Sequence, residues 1–334
     1  MKRAAFLLCS ILLPAQVFLV APTAAQTQAR EPLSVVAEPA VFPLAVAAAE
    51  EFSVKTGRPM PVVERSDSPG AAATLFCAGS GPRFPDALAT AGQPERAGLG
   101  ACAAKGIGVT ALRLGHQAMV LAQGPGTAPL ALTRRQLFLA LARTVPVNGR
   151  LIPNPYRLWS DIDFSLPVAP IAVLGPPPLT PEREAFTDLV MAPAAAEIPA
   201  LKGQDPALLR DDGVFVEMGA EAAAGELARR PGALAVFSFN AFAVSAGLRP
   251  VPIDGVAPEA ASIAAERYPL ARPLLLYVKP AHGRIAPGLG DYLTEIVGEA
   301  AAGPGGYLTR RGLVPLPPAE AAAQRQAARS LPPS

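Results

Sequence analysis

Residues 171–191, IAVLGPPPLTPEREAFTDLVM, place groups that could hold an anion. A short apolar strand runs into a proline-stiffened loop and then a helix start. Thr180 suits the N-cap, Pro181 the first helical position, and Glu182 the first turn, where the helix dipole favours a carboxylate. Backbone N–H groups left free at such a terminus point outward and receive anions. Arg183 adds a guanidinium, which matches an oxyanion through paired hydrogen bonds. The same residues also make an ordinary self-capped helix, with Arg183 paired to Glu182, Glu184 or Asp188. Similar loops ahead of helices lie at Glu38, Ser66 and Thr90. Ser66 and Ser68 offer hydroxyls to a ligand or to the cap of the next helix, and Asp67 stands between them.

Other chemistry finds no footing. There is no Gly-x-Ser-x-Gly elbow, no His-Glu-x-x-His and no spaced His/Cys cluster, so no enzyme class, cofactor or metal site is expected. Of the two histidines, His116 reads as a hinge-region residue, and His282 has no chemical role that can be argued from the sequence. The chain carries 51% hydrophobic and 17% charged residues, enough to bury sizeable cores. Its formal net charge of +2 and the absence of any basic block argue against a nucleic-acid partner.

The first 25 residues read as a cleavable signal peptide: Lys2 and Arg3, then a broken apolar run over residues 4–20, then Thr23 and Ala25 as small residues before the cut. A periplasmic location follows. Without the leader, Cys77 and Cys102 remain as an even pair in an oxidising compartment. A bridge would close a loop of about 25 residues, worth roughly 3 kcal/mol in the chain-entropy model. A two-cysteine metal site is the rival, but neither His116 nor His282 sits at ligand spacing from either cysteine.

Strands are expected near residues 32–37, 60–63, 86–89, 109–114, 118–122, 171–175, 214–217, 233–239 and 273–279. Helices are expected over 42–56, 71–77, 95–106, 133–142, from 180 onward, 220–229 and 289–301, with 241–246 as a further segment and a frayed helical tail after Pro317. Strands alternating with helices indicate an α/β fold of mainly parallel sheets with helices on both faces. Ligands in such folds sit beyond the carboxyl ends of the strands.

Six ordered blocks carry a resemblance: VFPLAVAAAEEFSVKTG near residue 41, LFCAG at 75–79, LTRRQLFLALARTVP with NPYRLWSDIDFSLP at 132–167, VLGPPPLTPEREAFTDLVM, RYPLARPLLLYVKPAHGRIAPGL, and GYLTRRGLVPLP. Together they resemble the phosphate-binding protein family of bacterial ABC importers in its alphaproteobacterial form, over residues 33–318. That form has a cysteine pair matching Cys77 and Cys102. The resemblance implies a two-lobed periplasmic-binding-protein fold of type II. Lobe I would take residues 31–116 and 245–318, lobe II residues 117–244, and a C-terminal tail 319–334. It implies a monomer that captures phosphate or another small polar solute between its lobes for an ABC permease of the inner membrane. The alternative is a non-transport scaffold or sensor with a vestigial cleft.

The ligand loops depart from that family. Its Ser-Ser-Thr reads Glu38-Pro39-Ala40 here, its Ser-Thr-Gly-Thr-Gly-Gly-Gly loop reads Ser66-Asp67-Ser68-Pro69-Gly70-Ala71, and its Ser-Gly-Thr-Arg-Asp reads Thr180-Pro181-Glu182-Arg183-Glu184. Glu38, Asp67 and Glu182 replace neutral donors. One carboxylate about 4 Å from an anionic charge costs roughly 4 kcal/mol at an effective dielectric of 20, while micromolar binding is worth about 8 kcal/mol. Phosphate held in the family's way is therefore not expected. Ser66, Ser68, Thr180, Arg183, Glu38, Asp67 and Glu182 stand as the ligand-binding candidates.

Overall fold

The computed structural model describes residues 30–92, 99–205 and 208–331. The signal-peptide expectation, and the first part of the helix expected over 95–106, lie outside the described residues. The chain opens with β1 (Ser34–Ala37), α1 (Phe42–Thr56), β2 (Val62–Arg65), α2 (Pro69–Phe76), β3 (Ala87–Ala91) and α3 (Gly100–Ala104). It continues through β4 (Thr110–Gln123), α4 (Arg134–Leu141), β5 (Thr144–Val147), β6 (Arg150–Pro153), α5 (Trp159–Ile162) and β7 (Val173–Gly175). Next come α6 (Pro181–Phe186), a π-helical turn (Thr187–Met191), α7 (Ala192–Ala196), β8 (Phe215–Glu217), α8 (Ala220–Leu227), β9 (Leu234–Ser238) and α9 (Phe239–Ala243). The last elements are β10 (Arg249–Pro250), α10 (Ala260–Ala264), β11 (Ala271–Val278), α11 (Leu289–Ile296), α12 (Glu299–Ala302) and α13 (Pro318–Ser330).

One sheet runs β2-β1-β3-β11-β4-β9-β7-β8, with β10 added to β4. Its two ends, β2-β1-β3 and β9-β7-β8, are parallel, as βαβ alternation requires. The middle is antiparallel: β11 lies between β3 and β4. The sequence suggests two short strands around Gly115-His116-Gln117, but β4 is a single strand of 14 residues. Its first part pairs with β11 up to Ala118, and from Met119 it pairs with β9, so one strand serves both lobes. The register slips between Leu274 and Leu275, opposite Arg113 and Gly115. A side chain at Gly115 would come 2.5 Å from the carbonyl oxygen of Val314, so only glycine fits that crossing. His116 then exchanges backbone hydrogen bonds with Val314 at 2.8 and 2.7 Å. Its ring is buried, and desolvation, followed by the nearby Arg113 charge, lowers its pKa.

Each lobe has its own core. In lobe I, Phe52 of α1 meets Tyr292 of α11 edge-on at 5.5 Å, over the strands β1, β3 and β11. In lobe II, Trp159, Phe186 and Met191 pack with Phe138 and Val173. Smaller clusters cover the opposite faces: Val36, Phe76, Leu88 and Tyr277 in lobe I, and Leu174, Leu227, Ala235 and Phe237 in lobe II. Helices therefore flank both faces of the sheet in each lobe. Fully burying one such aromatic side chain contributes about 1.5–3 kcal/mol.

Local signals explain most boundaries. α1 ends where Gly57 takes φ +68° and its N–H reaches Ser53 O. α4 starts in a reciprocal box, with Gln136 N donating to Thr133 Oγ1 and Thr133 N to Gln136 Oε1. Three further expectations need correction, and one hairpin was not expected at all. The hairpin β5–β6 turns through Asn148-Gly149, both at positive φ, a strong turn pair that the flanking prolines Pro146 and Pro153 obscured. The segment expected at 241–246 starts earlier, because Ser238 caps α9 through Ala241 N. The helix expected over 289–301 is broken at Gly298, which opens α12. The tail is no frayed helix: α13 is regular, buries Ala328, and accepts the Arg113 N–H on Gln324 Oε1 at 2.9 Å.

Cys77 and Cys102 are joined by a disulfide. It ties the end of α2 to α3 within the Phe76–Tyr277 cluster.

Candidate functional site

A cleft of about 550 Å3 opens where the carboxyl ends of β1, β2 and β3 face the helix that begins at Pro181. Lobe I supplies Glu38, Arg65, Asp67 and Ser68, lobe II supplies Arg183, Glu184, Thr187 and Asp188, and β11 supplies Arg272. The lining holds three arginines and four carboxylates, so it is nearly balanced in charge and slightly acidic.

Glu38 forms part of this wall and is only 3% exposed. The Thr90 hydroxyl donates to one carboxylate oxygen, and Ala91 N–H donates to the other at 2.8 Å. Burial nevertheless raises the Glu38 pKa above its ordinary 4.5, opposed by those two hydrogen bonds and by the Arg272 charge. Ser66 is buried and donates to Ser68 O at 3.0 Å, so its hydroxyl serves the loop. Ser68 caps α2, its Oγ accepting from Ala71 N at 3.2 Å, and also lines the cleft beside the exposed Asp67.

Thr180 caps its own helix: Oγ1 accepts from Arg183 N at 3.2 Å and donates to Pro177 O at 2.8 Å. Glu182 is exposed and lies outside the cleft lining. Arg183 reaches the cleft already engaged. Its Nε donates to Pro176 O at 2.8 Å, its Nη2 to Glu217 at 2.9 Å, and its guanidinium stacks 5.0 Å from the Phe215 ring centre. The other two arginines are also paired. Arg65 of lobe I bridges to Glu184 of lobe II at 2.8 Å, and Arg272 binds Asp188 at 2.9 Å and Gln117 at 2.7 and 3.0 Å.

The structure thus brings Glu38, Asp67, Ser68 and Arg183 together, and leaves Ser66, Thr180 and Glu182 to local or solvent roles. Sequence reasoning missed Arg65, Glu184, Thr187, Asp188 and Arg272 as cleft residues. A signal existed for one of them: with Arg183 facing the cleft, Thr187 at i+4 shares its helix face, whereas Asp188 at i+5 would be turned away on a regular α-helix. The π-helical turn at Thr187–Met191 then reorients that face, a distortion often found at functional sites.

A model of the PBP superfamily domain matches residues 22–300. The chain belongs to the PBP superfamily. Among solved structures, this PBP chain is similar to a possible phosphate-binding protein from Planctomyces limnophilus. The identity is 21% and the TM-score 0.70, covering 89% of this chain and 96% of the other. It is also similar to PstS from Borrelia burgdorferi, at 15% identity and a TM-score of 0.53, covering 78% of this chain and 92% of the other. At these identities the likeness establishes the two-lobed fold. Among curated proteins none matches. No helix among the described residues is long and apolar enough to cross a membrane.

Proposed function

We propose that this PBP-superfamily chain is exported to the periplasm and works there as a monomeric solute-binding protein. It captures a small polar solute between its lobes and delivers it to an ABC permease. The observation that carries this reading is the cleft itself, where charged side chains from both lobes and from β11 converge on one space.

The same side chains speak to the ligand. Every cleft arginine already has a carboxylate partner, and Glu38 and Asp67 add negative charge. A dianion would have to displace those partners and approach the two acids. A solute carrying an ammonium beside a single acidic group fits better, since Asp67 complements the ammonium and one negative charge, rather than two, meets the paired arginines. The phosphate reading remains as a second, favoured by the description of the Planctomyces neighbour as a possible phosphate-binding protein.

Thermal melting against phosphate, sulfate, molybdate, amino acids and polyamines tests both. A ligand that binds only the folded chain adds about 2.7 kcal/mol at 100 times its Kd. The expected result is a rise in Tm with a zwitterionic amino compound and none with phosphate at equal ionic strength. A shift at micromolar phosphate would replace the first reading by the second. No shift with any of them would remove the solute-binding role for these classes.

A further inference from the structure

Across lobe I, at the end of β3 away from the cleft, a second group of side chains meets. Asp86 precedes β3, and His282 lies in the 3-10 turn Pro280–Arg284 that follows β11. Both are fully buried. His282 Nδ1 lies 2.8 Å from Asp86 Oδ1. Its Nε2 lies 3.0 Å from the Gly81 nitrogen and 3.1 Å from Ser80 Oγ.

These contacts fix the proton positions. A backbone N–H can only donate, so Nε2 carries the lone pair and Nδ1 carries the proton given to Asp86. The Ser80 hydroxyl therefore donates to Nε2. The remaining Asp86 oxygen is held by Ser34 N–H at 2.8 Å and by the Arg30 guanidinium, which keeps the carboxylate in place. Ser80 itself is exposed and lines a pocket of about 210 Å3 with Lys105, Lys279 and the Gly106–Gly108 backbone. Lys279 ties the loop down by donating to Gly79 O and Pro85 O at 2.8 and 2.9 Å.

We propose that Ser80 is an activated nucleophile, with His282 as its base and Asp86 as the group that orients the base. The site would cleave small esters that carry an anionic group. A nucleophile bonded to a base that is in turn bonded to a carboxylate is the geometry acyl transfer needs, whatever the fold. The pocket admits only a small acyl group, and the Lys105 ammonium at its wall favours a negative charge on it. Ser80 Oγ attacks the carbonyl carbon while its proton passes to Nε2. The imidazolium returns that proton to the departing alkoxide oxygen, which leaves as the alcohol. Water then gives a proton to Nε2 and its hydroxyl to the acyl carbon, the acid departs, and Ser80 regains its proton. When Nε2 is protonated, the Gly81 N–H loses its acceptor and becomes free for the developing oxyanion. The N–H that follows the nucleophile takes this part in α/β-hydrolases.

A fluorophosphonate probe on the intact folded chain, mapped by mass spectrometry, tests this. Labelling at Ser80 should be on the order of 100-fold faster than at the same serine in urea, the contribution of a positioned base. Ser80→Ala should abolish it while the chain stays folded, with Tm lowered by a few degrees at most, because Gly81 N–H still satisfies Nε2. The folded chain should also release more than one equivalent of nitrophenol from mono-p-nitrophenyl succinate, a small ester that carries a carboxylate, and Ser80→Ala should not. Equal labelling in the folded and unfolded chains would overturn the activation of Ser80. Release that stops at one equivalent, or is unchanged in Ser80→Ala, would overturn the esterase.

Discussion

Replacing Glu38 by Gln probes the cleft most directly. Glutamine has nearly the same shape and can keep both hydrogen bonds, accepting from Ala91 N–H and donating to the Thr90 hydroxyl oxygen. What changes is the buried charge. The Glu38 pKa is raised, chiefly by burial, so between 4.5 and its folded value the native state binds more protons than the unfolded one. Stability from this group is therefore greatest near and below pH 4.5 and falls as pH rises through the folded pKa. Each unit of that elevation corresponds to about 1.4 kcal/mol. Glu38→Gln should thus melt at or above the parent temperature at pH 7.5, and the difference should shrink as the pH is lowered toward 4.5. The substitution should also admit anions. For an anionic charge about 5 Å away, removing one carboxylate is worth roughly 0.8 kcal/mol in water and about 3.3 kcal/mol at an effective dielectric of 20. That is a gain of about fourfold to a few hundredfold in affinity. Titration calorimetry with phosphate and sulfate at constant ionic strength, beside melts from pH 4 to 8, measures both effects. A variant that is less stable at pH 7.5, or whose affinity for these anions falls, would show that the carboxylate is a net asset and refute this electrostatic account.

Two further outcomes follow from buried groups in lobe I. Changing Cys77 and Cys102 together to Ala removes a bridge between residues 25 apart. It should cost about 3 kcal/mol, lowering Tm by about 5 °C in calorimetry and leaving cleft binding intact. Lys279 is fully buried, and its ammonium pKa is lowered from 10.5 to about 8, by burial first. The unfolded chain then binds more protons between pH 8 and 10.5, so this group's contribution to stability should rise with pH across that window. The slope should approach about 1.4 kcal/mol per pH unit and vanish in Lys279→Met, read by urea unfolding from pH 7.5 to 10. The readings should stop there, because Tyr268, Tyr292 and Tyr307 have raised pKa values and act in the opposite sense above pH 10.

The fold was readable because its signals are local. Apolar runs marked β7, β9 and β11, and Thr133 as a cap announced α4 in the sequence. The continuity of β4 was not readable, since Gly115-His116-Gln117 looks like a loop until Val314 is brought alongside. The cleft was half legible for the same reason. Loops before helices pointed to Glu38, Asp67, Ser68 and Arg183, each close in sequence to a helix start. Arg65 and Arg272 sit on strands, and their place in the cleft depends on the pairing of elements far apart in the chain. Thr180 carried the right chemistry for an anion site, but its hydroxyl is committed to Arg183 N and Pro177 O. The Ser80–His282 contact spans 202 residues and leaves no motif in the sequence.

The position of β11 has a consequence for the order in which this molecule is made. It lies between β3 and β4 in the sheet, yet its residues, 271–278, come some 150 positions after β4 ends. As the chain emerges, β1, β2 and β3 can form a parallel unit, but β3 keeps an open edge until almost the whole polypeptide exists. Such late, long-range closure is slow to find and leaves strand edges free for wrong partners. The second lobe, whose strands β7, β8 and β9 follow one another closely, can close first. Lobe I, with the cleft wall at Glu38 and Asp67, is completed last. That edge stays unpaired until β11 has arrived.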